Sequence, residues 1–218
     1  MNIKKLISVL LIISLTCLTA VFSLTSCEDK ASGGDAGKND ADGGGGEDAG
    51  PQPKSFMKEA ATGERNDYSG SVGYEFECLA DMTVSAVGRP QNGEMNDSHI
   101  IRIWDVASES LLVSAEVKPD SPLDSLGFKT AQLPAPIELK AGVSYRIVSS
   151  EVKDGDKWYD FGTAAGDFPD LVPNDDCLMI TPAFTGNEEW DLYPSNQYNP
   201  DGAVNKGYTG VTFYYILN

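Results

Sequence analysis

Histidine and basic residues are scarce in this 218-residue chain, which has one histidine and 16 Lys or Arg against 33 Asp or Glu. The histidine, His99, has no Gly-x-Ser-x-Gly nucleophile turn to accompany it, which disfavours a Ser–His–Asp hydrolase. One histidine with scattered cysteines also gives no zinc ligand set. The formal net charge of −17 repels a phosphate backbone and excludes nucleic acid as a partner. We therefore predict a non-catalytic protein in which His99 has a structural or hydrogen-bonding role.

The N-terminus has the pattern of an export signal. Lys4 and Lys5 precede an uncharged apolar run of nineteen residues that ends in Leu24-Thr25-Ser26-Cys27. This ending resembles the lipobox of bacterial lipoprotein signal peptides, which are cut before a cysteine that carries a diacylglycerol. The resemblance implies a signal peptide over residues 1–26, acylation of Cys27 and anchoring to the lipid bilayer of the cell envelope. An ordinary signal peptide and an uncleaved transmembrane helix are the alternatives, since nineteen apolar residues are just long enough to span a bilayer.

Residues 27–54 are built mostly from Gly, Asp and Ala and include no aromatic or large aliphatic side chain. Such a segment cannot bury enough surface to offset the entropy lost on ordering. We predict a disordered linker with a root-mean-square reach of roughly 30 Å. Residues 55–218 remain, about the size of one exported, extracytoplasmic domain.

The domain is predicted to be all-β, an antiparallel β-sandwich with a jelly-roll-like arrangement. Short apolar or alternating segments are separated by turn signals, without amphipathic helices between them. The plainest case is a hairpin whose first arm, His99 to Asp105, is covered on both faces and whose second arm, Leu111 to Val117, buries one face. The other predicted strands are 71–78, 82–87, 126–133, 137–139, 143–149, 177–184 and 208–217. A turn of helix is predicted over Phe56 to Ala61.

The sequence between residues 72 and 117 resembles a bacterial family of exported β-sandwich domains of unknown function. That family has a Gly-aromatic-x-Phe strand, then "TVTALG", "SH-x-V-x-L-W-D" and "LLASATV". The corresponding residues here are Gly73-Tyr74-Glu75-Phe76, Thr83-Val84-Ser85-Ala86-Val87-Gly88, Ser98-His99, Ile103-Trp104-Asp105 and Leu111-Leu112-Val113-Ser114-Ala115. Similarity continues through Gly127-Phe128, through residues 136–147 and into residues 207–213, where Val211 replaces the family's usual Asn. Because members occur in cell-surface proteins and beside carbohydrate-active modules, the resemblance implies adhesion or glycan binding and defines no catalytic residues.

The segment from Glu151 to Asn205 is long, irregular and rich in aromatic residues among Asp, Asn and Gly. Loops of this kind on a rigid sandwich carry binding residues, and exposed rings beside amides suit sugars. The candidate ligand-binding residues are Trp158, Tyr159, Trp190 and Tyr193. The alternative is that these rings cover the open end of the core, which we favour for Phe161 and Phe168.

Cys78 and Cys177 are the only cysteines of the domain. In an oxidising compartment they predict a disulfide that closes a loop of about 100 residues and contributes on the order of 4 kcal/mol at most. Two buried free thiols are the alternative.

Several acidic loops predict a structural calcium site, because calcium binds carboxylate and carbonyl oxygens. None of these loops matches the EF-hand pattern, and Asx-rich turns also form for conformational reasons. The candidate ligands are Asp97, Asp154, Asp156, Asp175 and Asp176.

These observations favour a surface lipoprotein with a non-catalytic binding module, whose ligand is a polysaccharide or cell-wall glycan. A second hypothesis is a structural or protein–protein interaction component of an envelope assembly, with an unknown protein partner. A third is a glycoside hydrolase, which needs a cleft containing paired carboxylates with one raised pKa.

Overall fold

The structure is a computed structural model that describes residues 51–159, 171–198 and 205–218. Within these ranges the chain forms ten strands and no helix. In chain order the strands are β1 (Lys54–Ser55), β2 (Gly70–Cys78), β3 (Met82–Pro90), β4 (His99–Asp105), β5 (Leu111–Val117), β6 (Phe128–Leu139), β7 (Ser144–Glu151), β8 (Cys177–Phe184), β9 (Asn196–Gln197) and β10 (Thr212–Leu217). A search of the same ranges finds no helix with the length and apolarity needed to cross a membrane.

The strands form two antiparallel sheets that pack together as a β-sandwich, which confirms the predicted fold class. The four-stranded sheet has the order β1-β10-β3-β6, and the six-stranded sheet has the order β5-β4-β7-β2-β8-β9. Strands β2 and β7 lie at the centre of the larger sheet, where they pair over eight residues. Most neighbours in the sheets are distant in sequence, so the two sheets are formed by long-range pairing.

The core lies between the two sheets and is rich in aromatic rings. Phe56, Phe76 and Phe213 are fully buried, and Phe213 stacks on both of the others with ring centroids 5.0 Å apart. Phe213 is in β10 and Phe76 is in β2, so these stacks join the two sheets directly. Aromatic residues of this size bury more apolar area than any other side chains and dominate the stability of such a core.

The predicted hairpin is confirmed, and its two arms are β4 and β5. Ile101 and Ile103 of β4 face the core, and Arg102 and Trp104 on the opposite face are also buried. The predicted strands 126–133 and 137–139 are one continuous strand, β6. Pro134 and Pro136 lie where the pairing with β3 shifts register, between Gln132 and Ile137, and β6 is an edge strand, so neither proline has to donate a ladder hydrogen bond.

The helical turn predicted over Phe56 to Ala61 is wrong. The chain there is irregular, with bends on either side of a single bridge from Met57 to Pro173: the Phe56 amide donates to the carbonyl of Phe213, and the Lys58 amide donates to the carbonyl of Val172. Burial of the Phe56 and Met57 side chains between the sheets outweighs the local preference for a helix.

Gly73, in the first motif of the family resemblance, lies where β2 passes very close to β7. A Cβ atom at this position would lie 1.9 Å from the carbonyl oxygen of Ile147. Only glycine can occupy a position where the two strands are so close, so strand packing explains the glycine at position 73.

Candidate functional site

A cavity of about 170 Å³ lies beside the N-terminal end of β2 and the C-terminal end of β8. We call it the aromatic cavity, because four of the described residues in its wall are aromatic. Its lining residues are Arg65, Tyr68, Val72, Trp158, Phe184 and Tyr208. Val72 and Phe184 face each other across the β2–β8 ladder, so the cavity is built on the end of the six-stranded sheet.

Edge-to-face contacts hold three of these rings in place. The Phe184 ring is 5.4 Å from Tyr208 at 86° and 6.5 Å from Tyr68 at 84°. The Tyr68 hydroxyl donates to the carbonyl of Thr185, which ties the ring to the end of β8. Burial and the nearby Glu189 carboxylate raise the pKa of Tyr68, so its hydroxyl stays protonated at neutral pH.

Trp158 is held by its backbone, and one of its polar atoms has no partner within the part of the chain that the structure describes. Its amide donates to the carbonyl of Arg65 over 2.9 Å, as part of a bridge between the two residues. The side chain is 3% exposed, and its indole Nε1–H has no hydrogen-bond acceptor among the described residues. A buried donor without an acceptor costs about 1–3 kcal/mol, and this donor belongs to a residue of the cavity wall.

Arg65 supplies the only cation among the described residues of the cavity wall. Its guanidinium lies 6.0 Å from the Trp158 ring centroid and 5.9 Å from that of Tyr208. Its Nε donates to a carboxylate oxygen of Asp67 over 2.5 Å, so its charge is balanced locally. The cavity is therefore mainly aromatic and carries little net charge.

The four aromatic residues predicted to bind ligand do not come together on one surface. Trp158 lines the aromatic cavity, whereas Tyr159, at 1% exposure, belongs to the core. Trp190 and Tyr193 lie on residues 186–198, which we call the strap. Sequence reasoning missed Tyr68, Phe184 and Tyr208 as cavity residues, because they lie in or next to predicted strands and give no separate signal.

The strap covers the outer face of the six-stranded sheet. Tyr193 packs edge-on against Trp104 and lies 4.9 Å from the guanidinium of Arg146. The carbonyl of Pro194 accepts from Arg146, and Arg146 also pairs with Glu75 of β2 over 2.8 Å. These contacts bury two charged side chains between the sheet and the strap.

Trp190 fastens the first half of the strap. Its indole Nε1 donates to the carbonyl of Glu151 over 3.1 Å, and its own carbonyl accepts from the Ser71 hydroxyl over 3.0 Å. The Trp190 and Tyr193 side chains are both half-buried. They hold the strap in place, and they are separate from the aromatic cavity.

His99 has the hydrogen-bonding role predicted for it, in a buried polar cluster with Arg89, Glu151 and Asp156. Its Nδ1 lies 2.7 Å from the carbonyl oxygen of Ser150, and its Nε2 lies 3.1 Å from Asp156 Oδ2. The side chains of the cluster are at most 4% exposed. Their contacts join the start of β4 to the end of β7 and to the loop that follows it.

The five candidate calcium ligands lie in two separate places. The Asp156 carboxylate already accepts the backbone amides of Asn96 and Asp97. Asp176 is paired with Lys54 over 2.5 Å, while the Asp175 side chain is fully exposed. Within residues 51–159, 171–198 and 205–218, no group of three or more His, Cys, Asp or Glu side chains is placed to hold a metal ion. The structure thus brings together no calcium ligand set from Asp97, Asp154, Asp156, Asp175 and Asp176 in these ranges.

Cys78 and Cys177 are both buried and lie side by side, with their sulfur atoms 3.8 Å apart. The signal peptide, Cys27, the linker up to residue 50, Phe161 and Phe168 lie outside the described residues.

Comparison of the chain with protein-family models and with curated proteins finds no match. The family resemblance therefore stays a prediction.

Proposed function

We propose that this protein is a membrane-anchored surface lipoprotein whose β-sandwich is a non-catalytic glycan-binding module. The observation that carries the proposal is the aromatic cavity, with its four rings and the indole N–H of Trp158, which has no acceptor among the described residues. Ring faces cover the apolar C–H patches of a sugar, and the indole N–H would donate to a sugar oxygen. The lipobox-like sequence before Cys27 supports the anchoring part of the proposal.

The size of the cavity limits the ligand. A cavity of about 150 Å³ holds one benzene-sized ring, and this one measures about 170 Å³. We therefore expect the cavity to take a single sugar ring of a longer glycan. A neutral sugar is favoured, because Arg65 is already paired with Asp67 and the chain carries a net charge of −17.

The test compares the same substitution at two tryptophans. The full chain is purified in detergent, and its binding to a panel of neutral polysaccharides and to peptidoglycan is measured by calorimetry. Trp158→Phe keeps a ring in the cavity but removes the N–H, so we expect binding about tenfold weaker, equivalent to one hydrogen bond of about 1.4 kcal/mol. Trp190→Phe, which removes an indole N–H from the strap, should leave binding unchanged.

Two outcomes would count against the proposal. If no glycan binds the unaltered chain, the domain is better explained as part of a protein assembly. If Trp190→Phe weakens binding and Trp158→Phe does not, the ligand lies on the strap. For the anchor, Cys27→Ser should move the protein from the membrane fraction to the soluble fraction, and a variant that stays with the membrane would contradict acylation at Cys27.

A further inference from the structure

We propose that Cys78 and Cys177 form a cross-strand disulfide, and that Cys177 is the residue that reacts first with an external disulfide. Cys78 is the last residue of β2 and Cys177 is the first residue of β8, and the two face each other across the ladder. Their sulfur atoms are 3.8 Å apart. A disulfide has an S–S length of about 2.05 Å, so the two atoms must approach by less than 2 Å.

The backbone register at this position suits a disulfide. The Leu79 amide donates to the Asp176 carbonyl over 2.8 Å, which makes the neighbouring Cys78–Cys177 pair a non-hydrogen-bonded pair of an antiparallel ladder. In such pairs the Cα atoms are about 4.5 Å apart, which is within the range of about 4.4–6.8 Å that disulfides span. Closure therefore requires side-chain rotation without movement of the strands.

The two cysteines differ in their access to an external reagent. Cys177 forms part of the wall of a cavity of about 530 Å³, together with residues 171–175 and with Leu178 and Met179. Cys78 is not among the described lining residues and is fully buried, with Met82 Sδ 4.0 Å from its sulfur. A reagent that enters this cavity meets Cys177 and cannot reach Cys78 directly.

The reaction that follows from this arrangement has two steps. The Cys177 thiolate attacks one sulfur of a disulfide donor, which releases one donor thiolate and leaves a mixed disulfide at Cys177. The Cys78 thiolate then attacks Cys177 Sγ, which forms the protein disulfide and releases the second donor thiolate. The protons lost by the two cysteines pass to the two released thiolates, so one donor disulfide is reduced as one protein disulfide forms.

The surroundings also determine how oxidation depends on pH. The hydrogen bond with Cys78 and burial of the sulfur both raise the pKa of Cys177. Because only the thiolate attacks a disulfide, oxidation of the folded protein should be slow at neutral pH and faster at higher pH.

The experiment uses oxidised glutathione as the donor and the full chain in its reduced, folded form. We expect peptide mass spectrometry to find the Cys78 and Cys177 peptides joined with the loss of two hydrogens. We also expect the Tm to rise by about 10 °C, because the bond closes a loop of about 100 residues. Both changes should reverse with dithiothreitol, and the double variant Cys78→Ser, Cys177→Ser should keep the Tm of the reduced protein whether or not glutathione is present.

The single variants test the order of reaction. Cys78→Ser should trap one glutathione on Cys177, because the second thiolate is missing, whereas Cys177→Ser should leave Cys78 unmodified in the folded protein. Two free thiols after prolonged oxidation would overturn the proposed disulfide. A glutathione adduct on Cys78 in the Cys177→Ser variant would overturn the proposed order. If the reduced protein retains copper(I) and Met82→Leu abolishes this retention, the sulfur atoms of Cys78, Cys177 and Met82 would instead be assigned to a soft metal site.

Discussion

Arg89 and Glu151 form an ion pair that is almost completely removed from solvent. The side chains are 2% and 0% exposed, and the Arg89 guanidinium donates to both carboxylate oxygens over 3.1 and 2.9 Å. The Ser149 hydroxyl donates to the same carboxylate, which satisfies it further. Removing one partner of such a pair leaves the other charge buried and uncompensated, which typically costs about 3–5 kcal/mol.

We therefore expect Arg89→Met to lower the free energy of unfolding by about 3 kcal/mol or more, as measured by urea denaturation. The matched control is Lys157→Met, which removes the cation from a pair with Glu64 whose side chains are 48% and 77% exposed. An exposed pair contributes about 0–1 kcal/mol, so the control should change little. Equal losses in the two variants would contradict a stabilising role for the buried pair.

Asp156 links the stability of the protein to pH. Burial acts to raise its pKa, but the backbone amides of Asp97 and Asn96 and the His99 ring together hold it below the usual value of 3.8. A carboxylate with a lowered pKa in the folded state stabilises the fold above its unfolded pKa. This contribution is lost as the pH falls through the lower folded pKa.

Asp156→Asn should consequently destabilise the protein at pH 7 by about 1–3 kcal/mol, since an amide cannot accept all of these hydrogen bonds. The gap between the variant and the unaltered chain should narrow as the pH falls below about 4. Urea denaturation at a series of pH values measures both quantities. Asp154→Asn is the control, because Asp154 is exposed and its positive φ of 64° is one that Asn also adopts. A gap that is constant with pH would contradict this role for Asp156.

Among the elements, the strap is attached to the sheet by a few side chains as well as by the short β8–β9 ladder. Tyr193 contacts both Trp104 and Arg146, whereas its neighbour Leu192 is 56% exposed. Aromatic pairs and cation–π contacts contribute about 0.5–2 kcal/mol each. Tyr193→Ala should therefore raise amide hydrogen exchange in residues 186–198 roughly tenfold while exchange in β2, β4 and β7 stays unchanged. Leu192→Ala should leave amide hydrogen exchange in the strap unchanged. Equal exchange in the two variants would show that Tyr193 does not hold the strap against the sheet.

The longer strands were predictable from the sequence, and the shorter ones were not. Strands such as β2 and β4 carry seven to nine residues with apolar runs or alternation. In contrast, β1 and β9 have two residues each, which cannot show a period. They form because a neighbouring strand edge is available, and this depends on the tertiary fold.

At the scale of the whole molecule, the candidate site was only partly predictable. The aromatic richness of residues 151–205 indicated Trp158, and the structure places its ring in the cavity wall. Tyr68, Phe184 and Tyr208 are separated by 24 to 140 residues along the chain and meet only through the strand order. No local sequence pattern indicates that these three residues are close together in the fold. Nor did the sequence distinguish Tyr159, a core residue, from its neighbour Trp158.

The β2–β8 ladder has one end at Val72 and Phe184, beside the aromatic cavity, and the other at Cys78 and Cys177. Lys54, where the predicted linker meets the sandwich, is paired with Asp176 at the second end. The proposed anchor would thus pull on β1 of the four-stranded sheet, and the proposed ligand on the end of β2 and β8 in the six-stranded sheet. Tension between a cell and a bound surface would then pass from one sheet to the other, through the core in which Phe213 of β10 stacks on Phe76 of β2.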